Sequence, residues 1–219
     1  RPPHNKNYFS SQIENLKNYY FSASKGNIDI TYEVIENPLD SNGYYTLDNQ
    51  MRDYSYSDND LANLLSEALI KAKPEIELYL SSNTDILIND VVFTIFHAGI
   101  GQDFTFPTFD PTVYDLKSAF VEPSMFLNLE NLPIIDNTEI SSGILMPETQ
   151  NMIFYDNIED IFYGYDDYCD FQLGMTGTFA FLMGYALGLP PLFDTQSGAP
   201  GIGIFGLMDY GSNNGRGVI

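Results

Sequence analysis

Cysteine is almost missing from this chain. Cys169 stands alone among 219 residues, which excludes a disulfide framework within the sequence and leaves the redox compartment unread. Positive charge is nearly as scarce, with 9 Lys and Arg against 30 Asp and Glu and a formal net charge of -21. Nucleic acid is gripped by clustered Lys and Arg, whereas Lys6, Arg52, Lys117 and Arg216 are dispersed. Nucleic acid is therefore excluded as a partner, and anionic membrane surfaces are disfavoured on the same ground. No apolar run is long enough to span a bilayer, so no membrane span is expected. The chain also lacks a starting Met and a signal sequence, opening Arg1-Pro2-Pro3 and closing on the apolar Val218-Ile219. The expectation from both ends is a piece of a longer protein, with other domains of that chain as neighbours.

What is present is a globular composition. Hydrophobic residues make up 44% and aromatics 15%, enough for one domain over 1–219. Phe9, Ile13, Leu16 and Tyr20 recur at three and four residues, which predicts a helix over about residues 7–23 that ends at Gly26. Ile28, Ile30, Tyr32 and Val34 alternate with Asp29, Thr31 and Glu33, the period of a half-buried strand. Asp58-Asn59-Asp60 offers helix caps and negative charge at the positive end of a helix whose apolar face is Leu61, Leu64, Leu65, Ala68, Leu69 and Ala72, and Pro74 is expected to stop that helix. The run Val91–Phe96 predicts a strand buried on both faces.

Residues 101–150 read as loop, punctuated by Pro107, Pro111, Pro123, Pro133 and Pro147, with a short strand expected over Met152–Tyr155. The acidic clusters 156–160 and 166–170 lack the spacing of a calcium-binding helix-loop-helix and read as solvated surface. Tyrosines near residues 44–56 and 163–168 suit either a recognition surface or ordinary packing. The alternation of helix and strand predicts an α/β domain, with helices packed on a twisted, mostly parallel sheet that has one antiparallel edge. Thr176–Leu189 is apolar nearly all round and closed by Gly188 and Pro190, which predicts a buried central helix.

Gly177-Thr178-Phe179-Ala180-Phe181-Leu182-Met183-Gly184-Tyr185-Ala186-Leu187-Gly188-Leu189-Pro190-Pro191-Leu192-Phe193-Asp194 resembles the active-site stretch of the immune inhibitor A family of secreted zinc metallopeptidases, H-E-F-G-H-x-L-G-L-P-D-L-Y-D. His97-Ala98-Gly99-Ile100-Gly101-Gln102-Asp103 is similar to that family's H-A-G-x-G-Q-D turn. Pro2-Pro3-His4 with Tyr8-Phe9 is similar to its domain start, and Gly206-Leu207-Met208-Asp209-Tyr210-Gly211 to its methionine turn. The resemblance implies an α+β zincin fold, secretion or exposure at the cell surface, and zinc held by two histidines on one helix face plus a third ligand, with a glutamate as general base.

Those roles map onto Phe181, Leu182, Tyr185 and Pro191, so the central helix is a degenerate active-site helix. Phe, Leu and Pro offer no donor atom, and a phenol with a reference pKa of about 10 is a poor lone ligand. With only His4 and His97 in the chain, no three-histidine site can form, so neither zinc nor another cofactor is expected. The expectation is a non-enzymatic pseudopeptidase module, with no catalytic residues, that binds peptide or protein in the former cleft. Phe181, Tyr185, His97 and Met208 are the cleft candidates. His97 also suits a plain turn residue, and Met208 a packing residue. The alternatives are an active metallopeptidase drawing ligands from elsewhere and a structural or adhesion module of a larger extracellular protein.

Overall fold

The computed structural model describes residues 4–103, 114–129, 131–149 and 174–213. Asn5 caps α1 (Lys6–Ala23) by accepting from Tyr8 N–H. Phe9, Leu16 and Tyr20 of the expected face are buried and Ile13 is half-buried. Lys25 and Gly26, at φ 56 and 80, turn the chain out of the helix, and Gly26 N–H donates back to Phe21 O at 2.7 Å. That closure satisfies a terminal carbonyl. Along residues 28–34 the expected alternation appears in burial: Ile28, Ile30, Tyr32 and Val34 lie half-buried while Asp29, Thr31 and Glu33 face solvent. The expected strand itself does not form there, because no partner strand lies alongside among the described residues.

α2 (Asp58–Ser82) starts one residue later than a cap at Ser57 rather than at the expected Asp58-Asn59-Asp60 cluster; Ser57 Oγ accepts from Asp60 N–H. Asp58 and Asp60 lie in the first turn, which bears out the expected negative charge at the positive end of the helix. Pro74 does not stop this helix. An interior proline costs about 3 kcal/mol, but Ile76 beyond it is buried and Leu80 packs on the same core. Full burial of such a side chain gives back about 1.5–3 kcal/mol and the half-buried Leu80 adds part of that, so two more turns are retained.

Five strands follow in chain order: β1 (Thr94–Ile100), β2 (Ala119–Val121), β3 (Ile134–Ile135), β4 (Thr138–Glu139) and β5 (Gly143–Thr149). β3 and β4 form a small hairpin across Asp136 and Asn137, both at positive φ, as a type I′ turn requires. The main sheet has the order β1-β5-β2. β1 runs parallel to β5, from Thr94 beside Ile144 to His97 beside Pro147, and β2 runs antiparallel to β5. The result is a mixed α+β domain with a parallel pair and one antiparallel edge.

The strand buried on both faces is β5, every residue of which is buried, rather than the run around Val91–Phe96. β1 begins only at Thr94, lies at the edge of the described sheet and is mostly half-buried. One side of β5 sends Leu145 into a core with Leu61, Leu65 and Leu69 of α2 and Val121 of β2. The other sends Ile144 and Met146 into a core with Leu16 and Tyr20 of α1 and Phe179 and Leu182 of α3 (Thr176–Ala186). Helices thus cover both faces of the sheet. No helix among the described residues is long and apolar enough to cross a membrane. Residues 152–155 and both acidic clusters lie outside the described residues.

Candidate functional site

α3 is tied to α1 by Tyr20, whose hydroxyl donates to Ala180 O at 2.7 Å. Burial raises the Tyr20 phenol well above its ordinary value, so it remains a donor at any ordinary pH. The helix ends at Ala186. Gly188, at φ 81, reverses the chain while Leu189 N–H donates to Gly184 O at 2.9 Å. This αL turn is the stop that Gly188 promised.

Phe181 and Tyr185, one helical turn apart, meet edge to face with ring centroids 5.0 Å apart and planes at 84°. Phe193 approaches Phe181 at 6.3 Å from the loop beyond α3, and Phe120 of β2 stacks on Tyr185 at 6.0 Å. The four rings make a continuous, half-buried aromatic cluster. Sequence reasoning found the central pair but missed Phe120 and Phe193; the aromatic residue just before Asp194 was the available signal for Phe193. Burial raises the Tyr185 phenol, keeping it neutral.

Leu182 is 5% exposed and belongs to the core shared with α1, while Pro191 lies half-buried in the turn after α3. The four positions where the resemblance places zinc ligands and base do not suit the metal: three offer hydrocarbon only, and the fourth holds a protonated phenol.

Met208 lies beneath α3 rather than in an open cleft. It is 4% exposed, and a Cβ placed on Gly184 would stand 2.4 Å from its sulfur. A Cβ at 184 would crowd Met208, because α3 and the 206–211 turn touch there. The turn is locked by Asp209, whose Oδ2 accepts from Gly201, Ile202 and Gly203 N–H at 2.7–2.8 Å and whose Oδ1 accepts from Tyr210 N–H. Burial pushes this carboxyl up, but the four backbone donors outweigh it and hold the group below its usual range. Gly201 is also fixed by contact, since a Cβ there would fall 2.0 Å from Leu192 O.

His97 faces elsewhere. Its register partner is Pro147, and alternation from Phe96, which meets Phe179 of α3, turns it to the opposite face of the sheet. Its Nδ1 lies 3.0 Å from Ala98 O, and burial lowers its pKa despite the backbone contacts and the charge of Glu148. Asp103, from the same turn motif, accepts from Ser118 N–H and Oγ–H; burial raises its pKa in spite of those donors.

His4, to which the sequence assigned no role, is buried, stacked on Tyr8 at 3.8 Å and bonded through Nδ1 to Glu148 at the end of β5. Glu148 also accepts from His4 N–H and Gly99 N–H, so one carboxylate joins the start of the chain to β1 and β5. Burial and the charge of Glu148 push the Tyr8 phenol up to about 12. Among the described residues no group of three His, Cys, Asp or Glu is placed to hold a metal ion. An open hollow of about 400 Å3 lies away from these residues, near the end of α2 between Leu80, Leu87 and Asp136. Comparisons with family models, with curated proteins and with solved structures find no match to this chain.

Proposed function

We propose that this chain is a non-catalytic, metallopeptidase-like module of a secreted protein, and that it holds a peptide or protein segment against the aromatic cluster on α3. One observation carries the reading: the helix face that the resemblance assigns to two zinc-binding imidazoles holds the edge-to-face pair Phe181 and Tyr185. Aromatic rings there fill space and offer apolar contact; Phe181 has no donor atom, and the neutral phenol of Tyr185 is a poor lone ligand for an ion. Rings that remain half-exposed, with Phe193 and Phe120 beside them, suit recognition of a side chain by contact area.

The test pairs elemental analysis for zinc with digestion of casein by the purified chain. The expected result is no stoichiometric zinc and no cleavage; chelator-sensitive cleavage would overturn the reading. A second arm restores ligands. Phe181→His with Tyr185→His leaves buried Leu182 untouched and should take up zinc, weakly, through two imidazoles on one face. The fuller variant that adds Leu182→Glu and Pro191→Asp should bind more tightly, at a cost in stability from the buried carboxylate. Folded variants that ignore zinc would show that the residue mapping is wrong.

A further inference from the structure

The surface around the aromatic cluster is apolar well beyond the rings. Leu189 and Leu192 are 41% and 42% exposed, and Ile202, Ile204 and Phe205 in the neighbouring loop are 46%, 57% and 89% exposed. The two loops are contiguous, because a Cβ on Gly206 would meet both Ile202 and Leu192. The loop carrying Ile202 is held by the Asp209 carboxylate described above, so these side chains are presented by a fixed backbone rather than left on a loose tip.

The stretch of chain that supplies this face carries side-chain charge of one sign. No Lys, Arg or His occurs between Lys117 and Arg216, whereas Asp and Glu recur through that stretch. β2, β5, α3 and both apolar loops all come from it. Glu122 and Asp194, both exposed, stand two residues after Phe120 and directly after Phe193. Asp194 is held below its usual range by Ser197 Oγ–H and by the N–H groups of Gln196 and Ser197, so it stays ionised. A face that combines apolar area, aromatic rings and negative charge complements a ligand with apolar side chains and positive charge. The same net charge of -21 opposes a second copy of the chain, and opposes anionic lipid.

We infer that the cluster of Phe120, Phe181, Tyr185 and Phe193, with its apolar rim, docks a cationic polypeptide segment that carries an aromatic or branched aliphatic side chain beside Lys or Arg. This rests on the peptide-holding reading above and names the class of peptide. The apolar side chain meets the rings and Leu192, while the cation lies in the field of Glu122 and Asp194.

The experiment uses the whole chain and three short synthetic peptides of one length: one of Lys, Leu and Phe, one with Glu for Lys, and one with Ser for Leu and Phe. Binding is measured by fluorescence anisotropy at low and high salt. The Lys, Leu and Phe peptide should bind at least tenfold more tightly than either other peptide, and more weakly at high salt. Tyr185→Ala should weaken it about tenfold and Tyr185→Phe should restore it. Glu122→Gln, at an exposed position, should weaken only the Lys peptide and reduce its salt dependence. If no peptide binds, the peptide-holding reading falls and this inference with it. If all three bind alike, the holding function stands and the cationic preference is refuted. Binding indifferent to Tyr185 and Glu122 would put the dock elsewhere. Stable self-association of the chain, or binding to neutral phosphatidylcholine vesicles that Phe205→Ser abolishes, would assign the face to another occupant and overturn the inference.

Discussion

Replacing Gly184 with Ala sets two known effects against each other. Glycine inside a helix is about 1 kcal/mol worse than alanine, so on propensity alone the change should stabilise α3. The new Cβ, however, would sit 2.4 Å from Met208 Sδ and 3.3 Å from Tyr20 Oη. Overpacking of this kind costs about 1–3 kcal/mol, reduced where a flexible methionine can swing aside. The expected net effect of Gly184→Ala is a loss of about 0–2 kcal/mol. Met208→Val deletes the sulfur and terminal methyl, and in that background the steric term largely disappears while the propensity gain survives. There Gly184→Ala should stabilise by up to about 1 kcal/mol. Urea denaturation of the four proteins in the cycle, with m-values checked for constancy, gives the coupling energy. A coupling of about 1–3 kcal/mol is expected from the clash. If Gly184→Ala stabilises equally in both backgrounds, Met208 does not support α3 at this point and the placement of the 206–211 turn is wrong.

Two further outcomes follow from the buried polar groups. Glu148→Ala removes the acceptor shared by His4 and Gly99 and should cost about 3 kcal/mol, read from the urea midpoint; a loss within 0.5 kcal/mol, roughly that of an ordinary surface site, would refute the anchoring role. His97 is buried in its neutral form, with its pKa lowered mainly by desolvation. Below the unfolded value of about 6.5 the unfolded chain takes up a proton that the folded chain refuses, so this contribution is complete above that pH and is lost as pH falls towards the folded value. His97→Gln should therefore lose less stability than the natural chain between pH 7.5 and 5.5, in paired urea titrations; parallel curves would refute it.

α1, the start of α2 and α3 were legible because their apolar spacing and stop signals act locally: Gly26 and Gly188 both take the positive φ that their positions suggested. β5 was not legible. Pro147 made its segment read as loop, yet the ladder to β2 covers only Gly143–Leu145, so the missing donor interrupts nothing on that side. Conversely, residues 28–34 carried a strand's alternation, but alternation specifies only which side chains turn inward and cannot supply a neighbouring strand. Pro74 misled for a related reason, since the burial of Ile76 is a tertiary effect invisible to local rules. At the candidate site, the Phe181 and Tyr185 pair could be read from i,i+4 spacing. The arrival of Phe120 depends on where β2 pairs. His4 and Glu148 lie far apart in sequence, and nothing local announces their contact.

Asp209 has a consequence for how its loop moves. Three amides from consecutive residues end on one carboxylate oxygen, so none can detach without loosening the grip on the other two. In deuterated solvent, Gly201, Ile202 and Gly203 should exchange in concert, on a single time constant, and Asp209→Asn should release all three together. The exposed Ile204 and Phe205 would then be carried on a segment that is either docked or undone, with no partly opened form between.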